Sequence, residues 1–445
     1  MNKLITWMLM HMNLNPTRKL AFSFFIVIVA GALLLKLPIS HQYPISWSDA
    51  FFTATSATTV TGLAVVDIGE AFTIFGQIVI MLLIQFGGTG TMVFAIFLLM
   101  MFGKKIGLKE RLLVQNSLNQ NHLGGIIPLV RSLLLYTFII EGIGFLFLSF
   151  RWVPEFGWKT GLFVSLFHSV SAFNNAGFSL WKDNLSAFVG DPIVNIVISI
   201  LFIIGGIGFI VMKDIWKRKR FQKLSLHSKL MIVGTLLINV IATLMIFFLE
   251  YGNGDTIGNL SISEKWFGSY FQAVTTRTAG FNTLDIGAMT PASLFFMMGL
   301  MFIGAGSAST AGGIKLTTFI ILIFSMVTYL TYKKETVLYH RAIKKATIFR
   351  SLTIVTVSLL LIFVAIFILT ITEKFPFIQI AFEVFSSFGT VGLSTGITGD
   401  LSLIGKIVII VMMFIGRIGP LTFAFLFTKK LNTPIRYPEE EVFTG

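Results

Sequence analysis

The chain has 445 residues, of which 55% are hydrophobic and only 12% are charged, and its mean hydropathy is +0.85. Soluble domains carry about 25% charged residues, so this composition excludes a soluble protein and predicts an all-α polytopic membrane protein. Because the chain has no cysteine, disulfides and thiolate metal sites are excluded. The net charge of +14 leaves open what the basic residues contact.

Basic residues are concentrated between apolar runs and at both ends of the chain. Three basic segments read GKKIGLKER, KDIWKRKRFQK and YKKETVLYHRAIKK. If all of them lie on one side of the membrane, the positive-inside rule makes that side cytoplasmic. We therefore expect both termini in the cytoplasm. We also expect these segments to contact anionic lipid or a cytoplasmic partner, and not nucleic acid.

Four short segments share one layout along the chain. They read FFTATSATTVTGL, FHSVSAFNNAGF, YFQAVTTRTAGF and FEVFSSFGTVGL. When they are aligned on Gly62, Gly177, Gly280 and Gly392, an aromatic residue stands ten positions before each glycine and a large apolar residue follows it. Such self-similarity predicts an internal repeat.

Each repeat is predicted to contain a long helix (M1), a half-helix, a turn at the glycine and a second long helix (M2). The M1 helices are predicted at 18–38, 126–150, 227–249 and 350–371. The M2 helices are predicted at 71–102, 191–215, 288–332 and 401–428. The repeats then occupy 1–105, 106–220, 221–340 and 341–445, and the last includes a cytoplasmic C-terminal tail.

The half-helices have about a dozen residues each, which is too short to span a bilayer. They must therefore enter from the outside and return as loops. Irregular backbone at this depth is tolerated only where it is buried in protein or lines water. The sequence thus predicts a pseudo-fourfold pore with eight spanning helices and four re-entrant pore helices.

The four loops, their glycines and an interrupted helix in the third repeat resemble the Trk/Ktr/HKT superfamily of potassium transporters. The compact length is similar to the membrane subunits of bacterial Ktr systems. The resemblance implies K⁺ uptake across the bacterial plasma membrane, often dependent on Na⁺, with K⁺ as substrate and no cofactor in this chain. It also implies a homodimer docked on a cytoplasmic nucleotide-binding regulatory ring of the RCK/KTN type.

The residues around the four glycines are the predicted selectivity filter. Backbone carbonyls can replace the hydration shell of K⁺, and glycine adopts the left-handed dihedrals that aim them at no steric cost. Half-helix C-termini pointing at the pore would also favour a cation. The alternative is that these glycines only let helices pack closely. The candidate filter residues are Thr59, Val60, Thr61, Gly62, Asn175, Ala176, Gly177, Thr278, Ala279, Gly280, Thr390, Val391 and Gly392.

A second glycine cluster follows each filter, at 87–90, 205–208, 304–313 and 416–419. Three clusters are short and are expected to be packing contacts. The third reads GAGSASTAGG; glycine costs about 1 kcal/mol in a helix interior, so we expect a broken helix whose loop gates the pore. A static kink is the alternative. The candidate gate residues are Gly304, Gly306, Ser307, Ser309, Thr310, Gly312, Gly313, Lys315 and Arg417.

Charged residues inside membrane segments indicate function. Arg417 is expected to reach the carbonyls of 304–313, as a barrier to cations, as a structural pin, or as both. Arg277 and Glu383 are expected either to brace the filter as a pair or to have separate partners. Glu141 has no partner that the sequence identifies, and no function is expected for His168.

Absent motifs exclude other functions. The sequence contains no G-x-x-x-x-G-K-[ST] and no H-E-x-x-H, so neither nucleotide binding nor an enzyme is predicted. A secondary cation transporter working by alternating access is the alternative function. Inverted repeats would alternate their orientation, whereas the charge pattern places all four half-helices on the same side and favours a pore.

Overall fold

The computed structural model describes residues 16–90 and 126–427, together with positions 438 and 440. The described part is helical apart from one short hairpin, in which Val337–Leu338 pairs with Arg341–Ala342. The chain ends, the basic segment 103–111 and the predicted helical residues 91–102 lie outside the described residues. So does the predicted boundary between the first two repeats, and the other two boundaries stay predictions.

The M1 helices lie close to their predicted positions. All four are long and apolar enough to cross a membrane. Large apolar side chains on them, such as Leu236, Phe248 and Phe363, are exposed on the outside of the protein, as suits a surface in contact with lipid. The M1 helices are Pro16–Leu35, Ile126–Phe156, Leu226–Glu250 and Lys345–Thr372.

The predicted half-helices are present in all four repeats and have 13 to 16 residues. Two begin at serine caps: Ser46 accepts from the Asp49 N–H, and Ser261 forms a capping box with Glu264. At 1.5 Å per residue such helices are about 20–24 Å long, which is less than the hydrocarbon core. The pore helices are Trp47–Thr59, Trp158–Phe173, Ile262–Thr275 and Phe377–Gly389.

The M2 helices depart from the prediction. The expected break in repeat 3 is confirmed, because Pro291–Phe302 and Leu316–Leu330 are joined by a non-helical segment. The prediction of continuous M2 helices in repeats 2 and 4 is wrong. Pro192–Ile207 and Phe209–Arg218 meet at 93°, and Leu403–Ile418 meets the helix after it at 103°. M2 of repeat 1 begins as Ile74–Thr89 and reaches the end of the described range.

Both bends occur at a glycine that is not in helical conformation. Gly208 has φ 104° and ψ 137°, and Gly419 has φ 95° and ψ 136°. These dihedrals are open to glycine and strained for other residues. Pro420 follows Gly419 and cannot donate a backbone hydrogen bond to continue the helix. In repeats 2 and 4 the short glycine clusters therefore interrupt the M2 helix in addition to their expected packing role.

Neighbouring repeats share their hydrophobic cores, and this closes the ring. One buried cluster joins Ala57 to Phe167, and another joins Phe173 to Phe271. The remaining contacts link repeat 3 to repeat 4 and repeat 4 back to repeat 1. The repeats thus surround a common axis in chain order.

Polar contacts fasten repeat 1 to repeat 4 at two places. Lys406 Nζ lies 2.8 Å from Asp49 Oδ1 at the start of the first pore helix. Arg18 Nη2 donates to the Leu426 carbonyl at 2.8 Å, near the start of the first M1 helix. Lys406 lies near the start of the M2 segment of repeat 4 and Leu426 near the end of the helix that follows it, so the two contacts hold the same interface at different depths.

Candidate functional site

The four predicted filter loops share one unusual backbone pattern. Positive φ occurs at each glycine and again two positions before it, but not at the residue between them. The glycines have φ of 96°, 67°, 77° and 94° at Gly62, Gly177, Gly280 and Gly392. The earlier residues have φ of 57°, 59°, 69° and 49° at Val60, Asn175, Thr278 and Thr390. The backbone of each filter loop therefore alternates between positive φ and φ outside that range.

The four glycines touch one another in a closed ring. A Cβ built on Gly62 would lie 3.2 Å from Gly177 Cα, and one built on Gly177 would lie 2.6 Å from Gly280 Cα. A Cβ on Gly280 would lie 3.4 Å from Gly392 Cα, and one on Gly392 would return to Gly62 Cα at 3.0 Å. The predicted filter residues of all four repeats are therefore brought together on the common axis.

Carbonyl oxygens of the preceding residues lie in the same ring. Each glycine contacts the carbonyl of the residue before the next glycine, so that a Cβ on Gly177 would lie 2.9 Å from Ala279 O. The other three contacts are closer still. The carbonyls involved belong to Thr61, Ala176, Ala279 and Val391.

Hydroxyl groups on the pore helices hold the loops in this shape. The Gly62 and Gly392 N–H groups donate to Ser56 Oγ and Ser386 Oγ, both at 3.1 Å. Ser171 Oγ donates to the Phe178 carbonyl at 2.8 Å, and Thr275 Oγ1 donates to the Phe281 carbonyl at 2.6 Å. The role of these hydroxyls in holding the filter loops was not predicted from the sequence. A serine six positions before the glycine in three repeats was the available signal.

The first glycine of each short M2 cluster packs on a pore helix, as predicted. Gly87, Gly205 and Gly416 lie directly against the carbonyls of Thr58, Phe173 and Phe388. Each of these carbonyls stands four residues before a filter glycine. A side chain at any of the three glycines would push M2 away from the C-terminal end of its pore helix.

The segment 303–315 of repeat 3 is bound to the M2 helices on both sides of it. Its Gly306 N–H donates to the Gly206 carbonyl at 2.8 Å, and its Ala308 carbonyl accepts from Phe209 N–H at 3.0 Å, both in repeat 2. Gly313 N–H donates to the Gly416 carbonyl of repeat 4 at 3.2 Å. The segment is thus a structured loop, and its backbone polar groups are satisfied at the breaks of the neighbouring helices.

This loop also contacts the filter from below. Thr310 Oγ1 donates to Asn175 Oδ1 at 2.7 Å. A Cβ built on Gly312 would lie 2.8 Å from Thr390 Cγ2. Asn175 and Thr390 are the left-handed residues of the second and fourth filter loops, so no residue layer separates the loop from the filter there.

Arg417 joins opposite sides of the pore. From M2 of repeat 4, its guanidinium donates to the Thr310 carbonyl, as expected from the sequence, and also to the Gly87 and Gly88 carbonyls of repeat 1. Because repeat 4 lies between repeats 3 and 1 in the ring, the guanidinium ties repeat 4 to both of its neighbours. Lys315 Nζ folds back onto the loop and donates to the Ala311 carbonyl at 2.8 Å. Two cationic groups therefore lie beneath the filter.

The remaining intramembrane charges have separate partners. Arg277 and Glu383 do not pair: Arg277 Nη2 lies 3.4 Å from the Gly304 carbonyl, whereas Glu383 accepts from Ser394, Thr395 and Thr398.

Glu141, whose partner the sequence did not identify, links two repeats. Asn174 Nδ2 donates to its carboxylate at 2.9 Å and Gln85 Nε2 does so at 3.4 Å. Asn174 stands three residues before the second filter glycine, so this buried carboxylate holds that loop against M2 of repeat 1.

Comparisons with known proteins agree on one family. The TrkH family model, described as "Cation transport protein", matches residues 11–435. The Ktr system potassium uptake protein B of Bacillus subtilis is 59% identical over 444 residues, covering 100% of this chain and 99% of that protein. The protein of the same name from Vibrio alginolyticus is 44% identical, covering 96% and 94%.

Two further similarities are more distant. The potassium/sodium uptake protein NtpJ of Enterococcus hirae is 41% identical, covering 97% of this chain and 98% of that protein. The crystal structure of the potassium transporter TrkH from Vibrio parahaemolyticus superposes with a TM-score of 0.76 at 20% identity, covering 94% of this chain and 86% of that one. At this identity the structure supports the fold alone.

Proposed function

This chain belongs to the TrkH family of cation transport proteins, and we propose on this basis that it takes up K⁺ through the pore formed by its own four repeats. The observation that carries the proposal is the closed ring of four filter glycines, each in contact with a carbonyl of the next loop. The chain is not an enzyme, and K⁺ is its substrate.

The filter works by replacing water around the ion. The carbonyls of Thr61, Ala176, Ala279 and Val391, together with those of the neighbouring filter residues, take the place of the hydration shell of K⁺. The pore helices direct the negative ends of their dipoles toward the ring. The loops have four different sequences, so we expect fewer ordered ion sites than in a symmetric tetrameric channel.

Loop 303–315, with Arg417, is the gate of this pore. Its contacts with repeats 2 and 4, and through Arg417 with repeat 1, support this role. Partly buried cations at this position oppose the passage of K⁺. The described conformation therefore corresponds to a closed pore, and conduction requires the loop to move.

Coupling, assembly and location belong to the same proposal. Uptake depends on Na⁺, and the protein is a homodimer in the bacterial plasma membrane with both termini in the cytoplasm. A cytoplasmic nucleotide-binding ring of the RCK/KTN type docks on the basic segments 213–223 and 333–345. The exposed side chains of Tyr339 in the second segment and of Tyr332 directly before it support this. Native mass spectrometry in mild detergent that shows only monomer would contradict the dimer.

The test of the proposed function is K⁺ or ⁸⁶Rb⁺ uptake by purified protein in liposomes, with and without Na⁺. We expect saturable K⁺ uptake that rises when Na⁺ is added, and slow Na⁺ uptake in the absence of K⁺. Empty liposomes are the control. Folded protein that gives no K⁺ uptake above this control, with or without its regulatory ring, would contradict the proposal. The rate separates a gated pore from slow alternating-access cycles.

Arg417 should limit basal flux. Arg417→Ala removes charge-assisted hydrogen bonds that are each worth about 1.5–3 kcal/mol, so we expect uptake without the regulator to rise on the order of tenfold. The matched variant Arg417→Lys keeps the charge but loses the forked geometry that spans two repeats; if the charge itself is the barrier, this variant stays slow. Unchanged flux in a folded Arg417→Ala protein would leave Arg417 as a structural pin only.

A further inference from the structure

Two pore helices carry a buried ionisable residue at the same repeat position. His168 stands nine residues before Gly177, and Glu383 stands nine residues before Gly392. Both side chains are 0% exposed. Each one contacts a serine two residues after its own glycine, namely Ser179 and Ser394. The same link between the pore helix and the segment after the filter glycine therefore occurs twice, once through an imidazole and once through a carboxylate.

In repeat 2 the hydrogen bonds determine the tautomer of His168. Nδ1 lies 2.9 Å from the Val164 carbonyl, which can only accept, so Nδ1 carries the proton. Nε2 is then free to accept from Ser179 Oγ at 3.1 Å. The imidazole also lies 4.4 Å from the Trp181 ring, between centroids. The ring is thus fixed both by its hydrogen bonds and by packing.

In repeat 4 both carboxyl oxygens of Glu383 are used. Ser394 Oγ donates to Oε1, and the Thr395 N–H lies 3.3 Å from the same oxygen. Thr398 Oγ1 donates to Oε2 at 3.1 Å. One carboxylate therefore binds three residues of the segment that leaves the filter.

Repeats 1 and 3 lack this link. The corresponding residues are Thr53 and Ala64 in repeat 1, where the buried Thr53 hydroxyl has no hydrogen-bond partner among the described residues. In repeat 3 they are Phe271 and Asn282, and Asn282 Nδ2 donates to the Leu284 carbonyl instead. Because the repeats follow one another around the ring, the two links face each other along one diagonal of the pore.

We propose that His168 with Ser179, and Glu383 with Ser394 and Thr398, are positioning groups that fix the filter width along this diagonal and so set its affinity for K⁺. This rests on the proposed function of the glycine ring. Each link ties the segment that follows the filter glycine to the pore helix behind it. This segment is then restrained from moving toward or away from the axis. Without the links, the carbonyls of loops 2 and 4 would adapt to an ion of another size.

The test removes only the serine hydroxyls. Ser179→Ala and Ser394→Ala should each raise the half-saturating K⁺ concentration roughly three- to tenfold and reduce the preference for K⁺ over Cs⁺, since each removes the link together with the hydrogen bond that the hydroxyl accepts from the Trp181 or Gly396 N–H. Maximal uptake and the melting temperature should change little. Thr53→Val is the control, since it removes a buried hydroxyl at the repeat position of His168 and Glu383 in a repeat that has no link, and we expect wild-type uptake.

Further variants of the Glu383 link, and one variant of the glycine ring, complete the test. Glu383→Gln keeps one acceptor oxygen and should give an intermediate effect. If Ser394→Ala does not fold, Thr398→Val tests the other carboxyl oxygen. Wild-type K⁺ affinity and K⁺/Cs⁺ preference in the folded serine variants would overturn the proposal. If Gly392→Ser weakens selectivity in the same assay and the serine variants do not, the proposed role of the links is wrong and the filter assignment is kept. If neither change weakens selectivity, the filter assignment itself is wrong.

Discussion

Replacing any one of the four filter glycines by serine is expected to lower the preference for K⁺ over Na⁺ by about tenfold or more. Two physical effects add. A side chain in left-handed conformation costs roughly 1–2 kcal/mol. In addition, the new Cβ meets the next loop: on Gly177 it would lie 2.6 Å from Gly280 Cα, and on Gly392 it contacts the Thr61 carbonyl. One substitution thus displaces carbonyls in two loops.

Two controls separate these effects in K⁺ and Na⁺ uptake assays. Gly396 has φ 99°, but a Cβ there would meet nothing within 4 Å, so Gly396→Ala isolates the cost of the dihedral. Gly142 lies in a helix with equally open space, and Gly142→Ala should leave uptake unchanged. Wild-type selectivity in all four filter variants would show that the glycines serve only helix packing.

Deleting Ser307–Thr310 from the gate loop is expected to raise K⁺ uptake strongly and to make it independent of the regulatory ring. The deletion removes the Thr310 carbonyl that Arg417 binds, and the Thr310 hydroxyl that contacts Asn175. It leaves the filter glycines in place, so selectivity should persist. The measurement is K⁺ uptake with and without the regulator.

The fold can accommodate this deletion. Ile303 and Ile314 pair with each other, and Leu316 N–H donates to the Ala305 carbonyl at 3.0 Å, so the loop begins and ends at the same place. A shorter loop can therefore close without moving the helices on either side. As a control, deleting Phe295–Met298 removes one turn of the preceding helix and should abolish expression. A folded loop-deletion protein with reduced, regulator-dependent uptake would establish the static kink instead.

The sequence predicted those features that repeat along the chain. Four glycines in register, each between long apolar runs, were sufficient to predict the pore helices, their loops and the pseudo-fourfold ring. The break in the third M2 helix followed from glycine content alone, because helix propensity is a local property. These predictions needed no knowledge of which residues meet across the ring.

Features that depend on which groups meet in three dimensions were missed. The bends at Gly208 and Gly419 follow single glycines, and sequence alone does not distinguish a bend from close packing. Glu141 is paired through Gln85 and Asn174, which come from two other segments of the chain. For Arg277 and Glu383 the sequence left both a pair and separate partners open; they have separate partners, which the sequence did not identify.

The interface between repeats 1 and 4 has a consequence for how the protein is made. Lys406 binds Asp49, and Arg18 binds the Leu426 carbonyl, so residues of repeat 4 bind residues of repeat 1 that leave the ribosome much earlier. Until repeat 4 inserts, the nascent chain is an open arc whose first and third repeats have not yet been joined through repeat 4. A protein truncated before Lys406 would insert its early helices normally and still be unable to seal the ion path. During synthesis, closure of the ion path therefore depends on the interface between repeats 1 and 4.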